Sequence, residues 1–171
     1  MEQLERLAQT LRTRRPELEL RENEPMSRHT TFRIGGPARL MALPRDRKEA
    51  AAAVRAAAEL GIRPFFLGNG SNLLVADGGY EGFIVKLTGL DQTRVVNRRL
   101  RAESGISLAR LAMAAWGRGL TGLEFAHGIP GTLGGGVAMN AGAYGGEMSQ
   151  VLTAVTFLDE AGERAAPAGR P

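Results

Sequence analysis

Cysteine is absent from the 171 residues of this chain, and only two histidines are present. Without a thiol, the chain can form no disulfide, no cysteine nucleophile and no thiolate metal site. Two histidines also argue against a metal centre built from imidazole ligands. Because the remaining side chains supply no redox couple, a redox function would depend on an organic cofactor.

Long apolar runs are missing as well. No stretch approaches the roughly 20 apolar residues that a membrane-spanning helix needs. The N-terminal segment mixes glutamate with arginine and lacks the apolar centre of a secretion signal. We therefore expect a cytoplasmic protein with no membrane partner.

Lysine and aromatic residues are scarce. Lys48 and Lys86 are the only lysines, so arginine supplies nearly all of the positive charge behind the net charge of +4. Arginine suits bidentate recognition of phosphate and carboxylate groups, but it can equally well just cover a protein surface. The charges are scattered, aromatic residues make up only 5%, and no nucleic-acid-binding motif is found. Nucleic acid is therefore a poor fit as a partner.

Apolar spacing predicts three helices, over residues 4–11, 46–60 and 107–117. Asp46 and Ser107 are the expected N-caps, and Glu49 completes the pattern of a capping box. Residues 16–25 read as a polar connector. Strands are predicted over residues 39–43, 63–67, 83–87, 94–103 and 151–158, with a hairpin turn at 159–162 and neither helix nor strand at 167–171. This mixture indicates an α+β fold.

The first glycine loop (residues 68–75) follows a predicted strand and has the sequence GNGSNLLV. Glycine lets successive backbone N–H groups turn inward and form an anion-binding nest. The loop is not a Rossmann fingerprint, because Leu73 stands where that motif has glycine, and it is not a P-loop, because it has no lysine. It predicts a diphosphate site of another fold, with an ordinary turn between strands as the alternative.

The second glycine segment (residues 128–146) is longer and presents much backbone and few side chains. A flat aromatic ligand could approach this backbone closely and accept hydrogen bonds from its N–H groups. So many glycines cost conformational entropy, which favours a ligand-contact surface over a purely structural role. Ile129, Val137 and Met139 are too apolar for a flexible linker.

Four ordered segments carry a resemblance to a known family: residues 29–38 (HTTFRIGGPA), 67–75, 119–126 (GLTGLEFA) and 128–146. Together they resemble UDP-N-acetylenolpyruvoylglucosamine reductase over roughly residues 27–158 of this chain. Gly136 is a small departure, since alanine is more usual there.

The resemblance implies a two-lobed FAD-binding fold of the vanillyl-alcohol-oxidase (PCMH) type, with FAD between the lobes. The implied divisions are residues 1–26 (helix and connector), 27–90 (first lobe) and 91–171 (second lobe). NADPH would be the reductant, and an enolpyruvyl UDP-sugar the substrate, converted to UDP-N-acetylmuramate for peptidoglycan synthesis. The implied FAD contacts are Asn69, Gly70, Ser71, Asn72 and Leu73 for the diphosphate, and Gly128, Ile129, Pro130, Gly131, Thr132, Gly134, Gly135, Asn140, Ala141, Gly142 and Ala143 for the isoalloxazine, with Tyr144 as a candidate substrate contact.

The catalytic arginine, serine and glutamate of the family would lie beyond Pro171, as would most of the substrate domain. We therefore assign no catalytic residue and no metal ligand, and we expect weak FAD binding and no turnover from this chain alone. The rival interpretations are a flavin-dependent oxidase of the same fold and a folded remnant that binds no flavin.

Four single residues have expected roles, and for one of them, His29, two alternatives remain open. His29 could contact the flavin, or it could be a capping or surface histidine. His127 is expected to be structural, and Trp116 and Phe125 are expected in the core.

Overall fold

The computed structural model describes residues 2–166 of the chain. The helices are α1 (Glu2–Arg14), α2 (Arg47–Glu59), α3 (Leu108–Trp116), α4 (Leu133–Ala138) and α5 (Met148–Val151). The strands are β1 (Glu19–Pro25), β2 (Pro37–Leu43), β3 (Phe65–Leu67), β4 (Tyr80–Lys86), β5 (Thr93–Val96), β6 (Arg99–Ala102), β7 (Gly142–Ala143), β8 (Gly146–Glu147), β9 (Phe157–Leu158) and β10 (Arg164–Ala165).

A four-stranded sheet in the order β1-β2-β4-β3 organises the N-terminal half. Strand β1 is antiparallel to β2, whereas β2, β4 and β3 run parallel to one another. Side chains alternate across the sheet, so Leu40 and Phe83 pack with Leu7 and Leu11 of α1. Met41 and Ile84 belong to a separate apolar cluster. Both faces of the sheet are therefore covered.

Helix α2 begins as the sequence predicts. The Asp46 side chain accepts hydrogen bonds from the backbone N–H groups of Lys48 and Glu49, each at 2.8 Å. The Glu49 carboxylate accepts a hydrogen bond from the backbone N–H of Arg45, one residue before the cap. Gly61 ends the helix with a positive φ of 66°.

A second core lies in the C-terminal half. Leu108 and Leu111 of α3 pack there with Phe125 and Met148. The hairpin of β5 and β6 contributes partly buried apolar side chains to the same cluster. Apolar side chains of the first glycine-rich segment pack in the cluster of Met41 and Ile84, whereas those of the second pack in the cluster of α3.

Two predictions in the polar parts of the chain are wrong. Residues 16–25 were expected to be a connector, but β1 forms there. Because β1 is an edge strand in contact with solvent, its sequence lacks the alternation of apolar and polar residues that normally marks a strand. The single strand expected over residues 94–103 is a hairpin. Val96 pairs with Arg99, and Asn97 in the turn between them has a φ of 56°.

The C-terminal half contains one helix that the sequence did not predict and one strand prediction that needs correction. The second glycine segment includes α4, where Gly136 sits so close to Leu108 that an added Cβ would lie 3.2 Å from its side chain. The strand expected over residues 151–158 is restricted to β9, because α5 occupies its start. The hairpin turn at residues 159–162 is confirmed, with the N–H of Gly162 donating to the carbonyl of Asp159. The expectation for residues 167–171 lies outside the described residues.

Candidate functional site

The first glycine loop begins where β3 ends, at the carboxyl end of the parallel strands. Leu67 is aligned with Lys86, the last residue of β4, and Gly68 leads directly into the loop. Ligands commonly bind outside the carboxyl ends of the strands of such open sheets. The first glycine loop therefore lies at the edge of the sheet where ligands commonly bind.

Five consecutive backbone N–H groups of this loop, those of residues 69–73, have no acceptor among the hydrogen bonds of residues 2–166. Gly70 has a φ of 62°, which a residue with a side chain rarely adopts. Gly70 is itself buried, so its neighbours rather than bulk water surround it. A row of unused donors in a loop with one left-handed residue is the arrangement that binds phosphate oxygens.

The loop rests on the backbone of residues 29–31. The N–H of Thr31 donates to the carbonyl of Gly70 at 3.2 Å. A Cβ added to Gly70 would lie only 2.1 Å from the carbonyl oxygen of His29. Glycine is therefore required at position 70 for both its φ and this close approach.

The two glycine-rich segments touch one another. The Ser71 hydroxyl donates to the carbonyl of Pro130 at 3.2 Å. A Cβ on Gly68 would lie 2.3 Å from Oγ1 of Thr132, and one on Gly131 would lie 3.0 Å from Oγ of Ser71. The structure thus brings the predicted diphosphate loop against the start of the predicted isoalloxazine segment.

Backbone pairing holds the start of the second glycine segment in place. The N–H of Leu108 donates to the carbonyl of Gly131, and the N–H of Leu133 donates to that of Ile106. The N–H of Gly134 donates to Ser104 at 2.7 Å. Gly128 and Gly135 are exposed, and a Cβ on Gly128 would meet nothing within 4 Å. Gly128 therefore borders open space beside the anchored turn.

The later predicted residues, 140–144, follow α4 and comprise the entry to β7, the strand itself and the first residue of the β7–β8 turn. Asn140 and Tyr144 both have positive φ, 46° and 53°. The Asn140 side chain accepts a hydrogen bond from the N–H of Ser149 at 2.9 Å, so its carboxamide oxygen is already used. Tyr144 is 98% exposed. No hydrogen bond within residues 2–166 joins these residues to the first glycine loop.

Asn140 also contributes to a small polar cluster with Glu147. Hydrogen bonds from Ser149 and Asn140 lower the pKa of the Glu147 carboxyl group. Glu147 and Gln150 form a reciprocal capping box at the start of α5. Sequence reasoning did not identify this cluster, although the Glu-x-x-Gln spacing signals it. The cluster fixes the turn that carries Tyr144.

Two open grooves of the described surface lie along α3 rather than between the glycine segments. The larger, about 560 Å³, is lined by Met113, Trp116 and, at one end, His127. Trp116 is 74% exposed, so the prediction that it belongs to the core is wrong: it lies just beyond the buried stripe of α3. Phe125 is buried, as predicted.

His29 lies next to the first glycine loop, and its surroundings could not be predicted from the sequence. It is not a surface histidine, being only 7% exposed, but it does cap the short 3-10 helix Met26–Arg28, where its backbone N–H donates to the carbonyl of Met26. Its Nε2 lies 2.9 Å from the carboxylate of Glu24, and its Nδ1 lies 2.6 Å from Nζ of Lys86. Burial lowers the pKa of His29, with Lys86 adding to the effect. These three residues come from β1, the loop after it and β4.

Within residues 2–166, no group of three or more histidine, aspartate or glutamate side chains could hold a metal ion. No helix in that range is both long and apolar enough to cross a membrane.

A family model described as "FAD binding domain" matches residues 38–165. The match includes the first glycine loop and the whole second glycine segment.

Curated relatives named UDP-N-acetylenolpyruvoylglucosamine reductase are similar over most of the chain. The protein of Caldanaerobacter subterraneus subsp. tengcongensis is 50% identical over 138 residues, which is 81% of this chain and 46% of the relative. That of Heliobacterium modesticaldum is 50% identical over 142 residues, 82% of this chain and 45% of the relative. The chain therefore spans about half the length of the curated relatives it matches.

Solved structures agree on the architecture. The UDP-N-acetylenolpyruvylglucosamine reductase of Thermus caldophilus superposes with a TM-score of 0.69 and 32% identity, over 88% of this chain and 52% of that one. A solvent-stable cholesterol oxidase superposes with a TM-score of 0.67 at 18% identity, over 88% of this chain and 33% of the oxidase. The second likeness shows the fold alone. The expected fold, shared by this reductase and by flavin oxidases, is thereby confirmed.

Proposed function

The chain belongs to the FAD binding domain family, and from this membership we propose that it is the FAD-holding portion of a UDP-N-acetylenolpyruvoylglucosamine reductase. The complete reaction would use NADPH to convert UDP-N-acetylglucosamine enolpyruvate to UDP-N-acetylmuramate, in the cytoplasm, for peptidoglycan precursors. The 50% identity to named reductases, against 18% to the oxidase, favours the reductase over an oxidase of the same fold.

The row of unused N–H donors at residues 69–73 carries the proposal for the cofactor. A diphosphate offers several oxygens that each accept hydrogen bonds, and it needs no lysine when backbone donors converge on it. We assign Asn69, Gly70, Ser71, Asn72 and Leu73 to this role. The contact of Ser71 with Pro130 supports a dinucleotide that continues from this loop to the second glycine segment.

The second glycine segment supports the flat part of the cofactor in this proposal. The N–H groups of Gly131, Thr132 and Gly135 have no acceptor among the hydrogen bonds of residues 2–166, so they remain available to a ligand. Residues 128–130 add exposed backbone beside them. We extend the assignment to Gly134, Asn140, Ala141, Gly142 and Ala143, with Tyr144 facing the substrate. When bound, FAD supplies the hydride-transfer chemistry that these side chains lack.

The separate cores of the sheet and of α3 support a boundary between two lobes near residue 90. We propose the divisions 1–26, 27–90 and 91–171 for this chain. Hydride delivery to an enolpyruvyl carbon generates negative charge that a cation must stabilise and a proton must quench. We assign neither role to a residue of this chain and expect weak FAD binding without turnover.

Binding of FAD and of its parts tests the proposal. Purified chain is titrated with FAD, and the fluorescence and visible spectrum of the flavin are followed. If the first glycine loop holds the diphosphate, ADP competes with FAD, while riboflavin, which lacks phosphate, binds at least tenfold more weakly. Equal binding of riboflavin and FAD would refute the loop assignment. Protein that stays colourless with excess FAD would instead support the non-catalytic remnant, and oxygen consumption without NADPH would support the oxidase.

A further inference from the structure

A chain of polar contacts lies under the first glycine loop. Glu24 and His29 are each 7% exposed, and Lys86 is half-buried. The imidazole of His29 stands between the other two, 2.9 Å from the Glu24 carboxylate and 2.6 Å from the Lys86 ammonium. Arg21 also donates to Glu24, at 3.0 Å.

The partners determine the protonation state of His29. An ammonium group has donors and no acceptor, so Nδ1 of His29 must accept from Lys86. A carboxylate only accepts, so Nε2 must carry the hydrogen that is donated to Glu24. Only the neutral Nε2–H tautomer satisfies both contacts. Burial lowers the pKa of His29 and that of Lys86. Burial opposes ionisation of Glu24, but its bonds to His29 and Arg21 outweigh burial and lower its pKa.

The same histidine supports the loop through its backbone. Its carbonyl oxygen is the atom that a Cβ at Gly70 would strike, at 2.1 Å. Two residues later, Thr31 donates its N–H to the carbonyl of Gly70. At the other end of the chain of contacts, Lys86 is aligned with Leu67, immediately before the loop. A displacement of His29 would therefore be transmitted directly to Gly70.

We propose that Glu24, His29 and Lys86 form a pH-sensitive support for the first glycine loop, in which neutral His29 holds the loop in its anion-binding shape and protonation releases it. The inference rests on the proposed function for its consequence, since a loosened loop would bind the diphosphate of FAD less tightly. His29 and Lys86 are positioning residues in this scheme.

The charges around His29 explain why protonation would disrupt it. A proton on Nδ1 removes the acceptor for Lys86 and places two cations 2.6 Å apart. Arg21, on β1, contributes a third positive charge to the same cluster. Glu24 is the one carboxylate that contacts His29 among the described residues, and it is already shared with Arg21. The excess of positive charge favours separation of Lys86 from His29.

A histidine titration by NMR tests the support without any cofactor. Because the chain has only two histidines, their ring signals can be assigned with one His127→Gln variant. We expect His29 to titrate below the ordinary histidine pKa of about 6.5, because burial lowers its pKa, with the Nε2–H tautomer present above its midpoint. The backbone amides of Gly70 and Thr31 should shift with the same midpoint. In Lys86→Met, the midpoint of His29 should rise.

The NMR outcomes are decisive for the loop. A His29 midpoint at or above about 6.5 would overturn the proposal, and so would amide signals of Gly70 and Thr31 that do not change across the titration. If Lys86→Met destabilises the fold, Lys86→Arg serves as the second variant. Because it keeps the positive charge, the titration midpoint of His29 should stay low in Lys86→Arg.

The affinity for FAD as a function of pH tests the consequence. One linked proton limits the effect to about tenfold weaker binding for each pH unit below the His29 midpoint. We expect this dependence in the natural chain and in His127→Gln, and its loss in His29→Gln. Persistence of the dependence in His29→Gln would overturn the link between the support and the cofactor. Failure to bind FAD at any pH would contradict the proposed function, while the NMR titration would still decide the role of His29.

Discussion

Replacing Gly70 by alanine measures how closely the first glycine loop packs on the backbone beneath it. Two separate effects act at this position. A side chain at a φ of 62° costs about 1–2 kcal/mol. The new Cβ would also lie 2.1 Å from the His29 carbonyl oxygen, whereas carbon–oxygen contacts normally begin near 3.3 Å. The loop must therefore move by about 1 Å, which is the difference between these distances.

Gly61 supplies a matched control. Its φ is 66°, nearly that of Gly70, but nothing lies within 4 Å of an added Cβ. Gly61→Ala should therefore show the backbone cost alone, about 1–2 kcal/mol in the free energy of unfolding. Gly70→Ala should lose about 2–4 kcal/mol, in the range of substitutions that introduce strain or overpacking. Urea unfolding of both variants, followed by circular dichroism, gives the comparison.

Cofactor titration extends the comparison to the site. We expect Gly70→Ala, under conditions where circular dichroism shows it folded, to bind FAD at least tenfold more weakly than the natural chain. Gly61→Ala, at the far end of α2, should bind normally. Equal stability of the two variants would refute the close packing of residues 29–31 against the loop. Normal FAD affinity of a folded Gly70→Ala would refute the use of this loop as the diphosphate site.

Three further substitutions or conditions have defined outcomes. Asp46→Ala should lower the free energy of unfolding by about 1 kcal/mol, because the cap of α2 loses two hydrogen bonds, whereas no loss in urea denaturation would contradict the capping role. Phe83→Ala should lower it by about 3–5 kcal/mol, since the ring is fully buried between the sheet and α1, and a loss below 1 kcal/mol would show that the sheet core is loosely packed. Stability should fall as pH drops below about 6.5, because burial lowers the pKa of His29 from 6.5 and the unfolded chain then binds the proton first. Urea titrations at pH 7.5 and 5.5 measure this, and a flat profile would contradict it.

The local features of the fold could be predicted because their causes are local. The apolar spacing of α1, the Asp46 cap of α2 and the turn at residues 159–162 each depend on side chains within a few residues. The glycine pattern of residues 68–75 likewise predicted a loop, because the positive φ at Gly70 is a conformation that glycine adopts readily. The binding of a ligand by this loop stays a prediction.

Other elements depended on partners far along the chain. Strand β1 is polar at most positions and exists because β2 offers it an edge to pair with. Helix α4 packs so closely on Leu108 and Ser104 that small residues fit where larger ones would not. Neither cause is visible in a window of neighbouring residues.

The amino-acid sequence by itself was sufficient to identify the family and the class of cofactor, because motif order and glycine content do not depend on the tertiary structure. The two segments that would contact the cofactor remain predictions. Only the tertiary structure decided that the two segments meet at Ser71 and Pro130, and that His29 lies buried between Glu24 and Lys86. These contacts join residues up to 59 positions apart. Strand register and packing set such distances, and no local pattern encodes them.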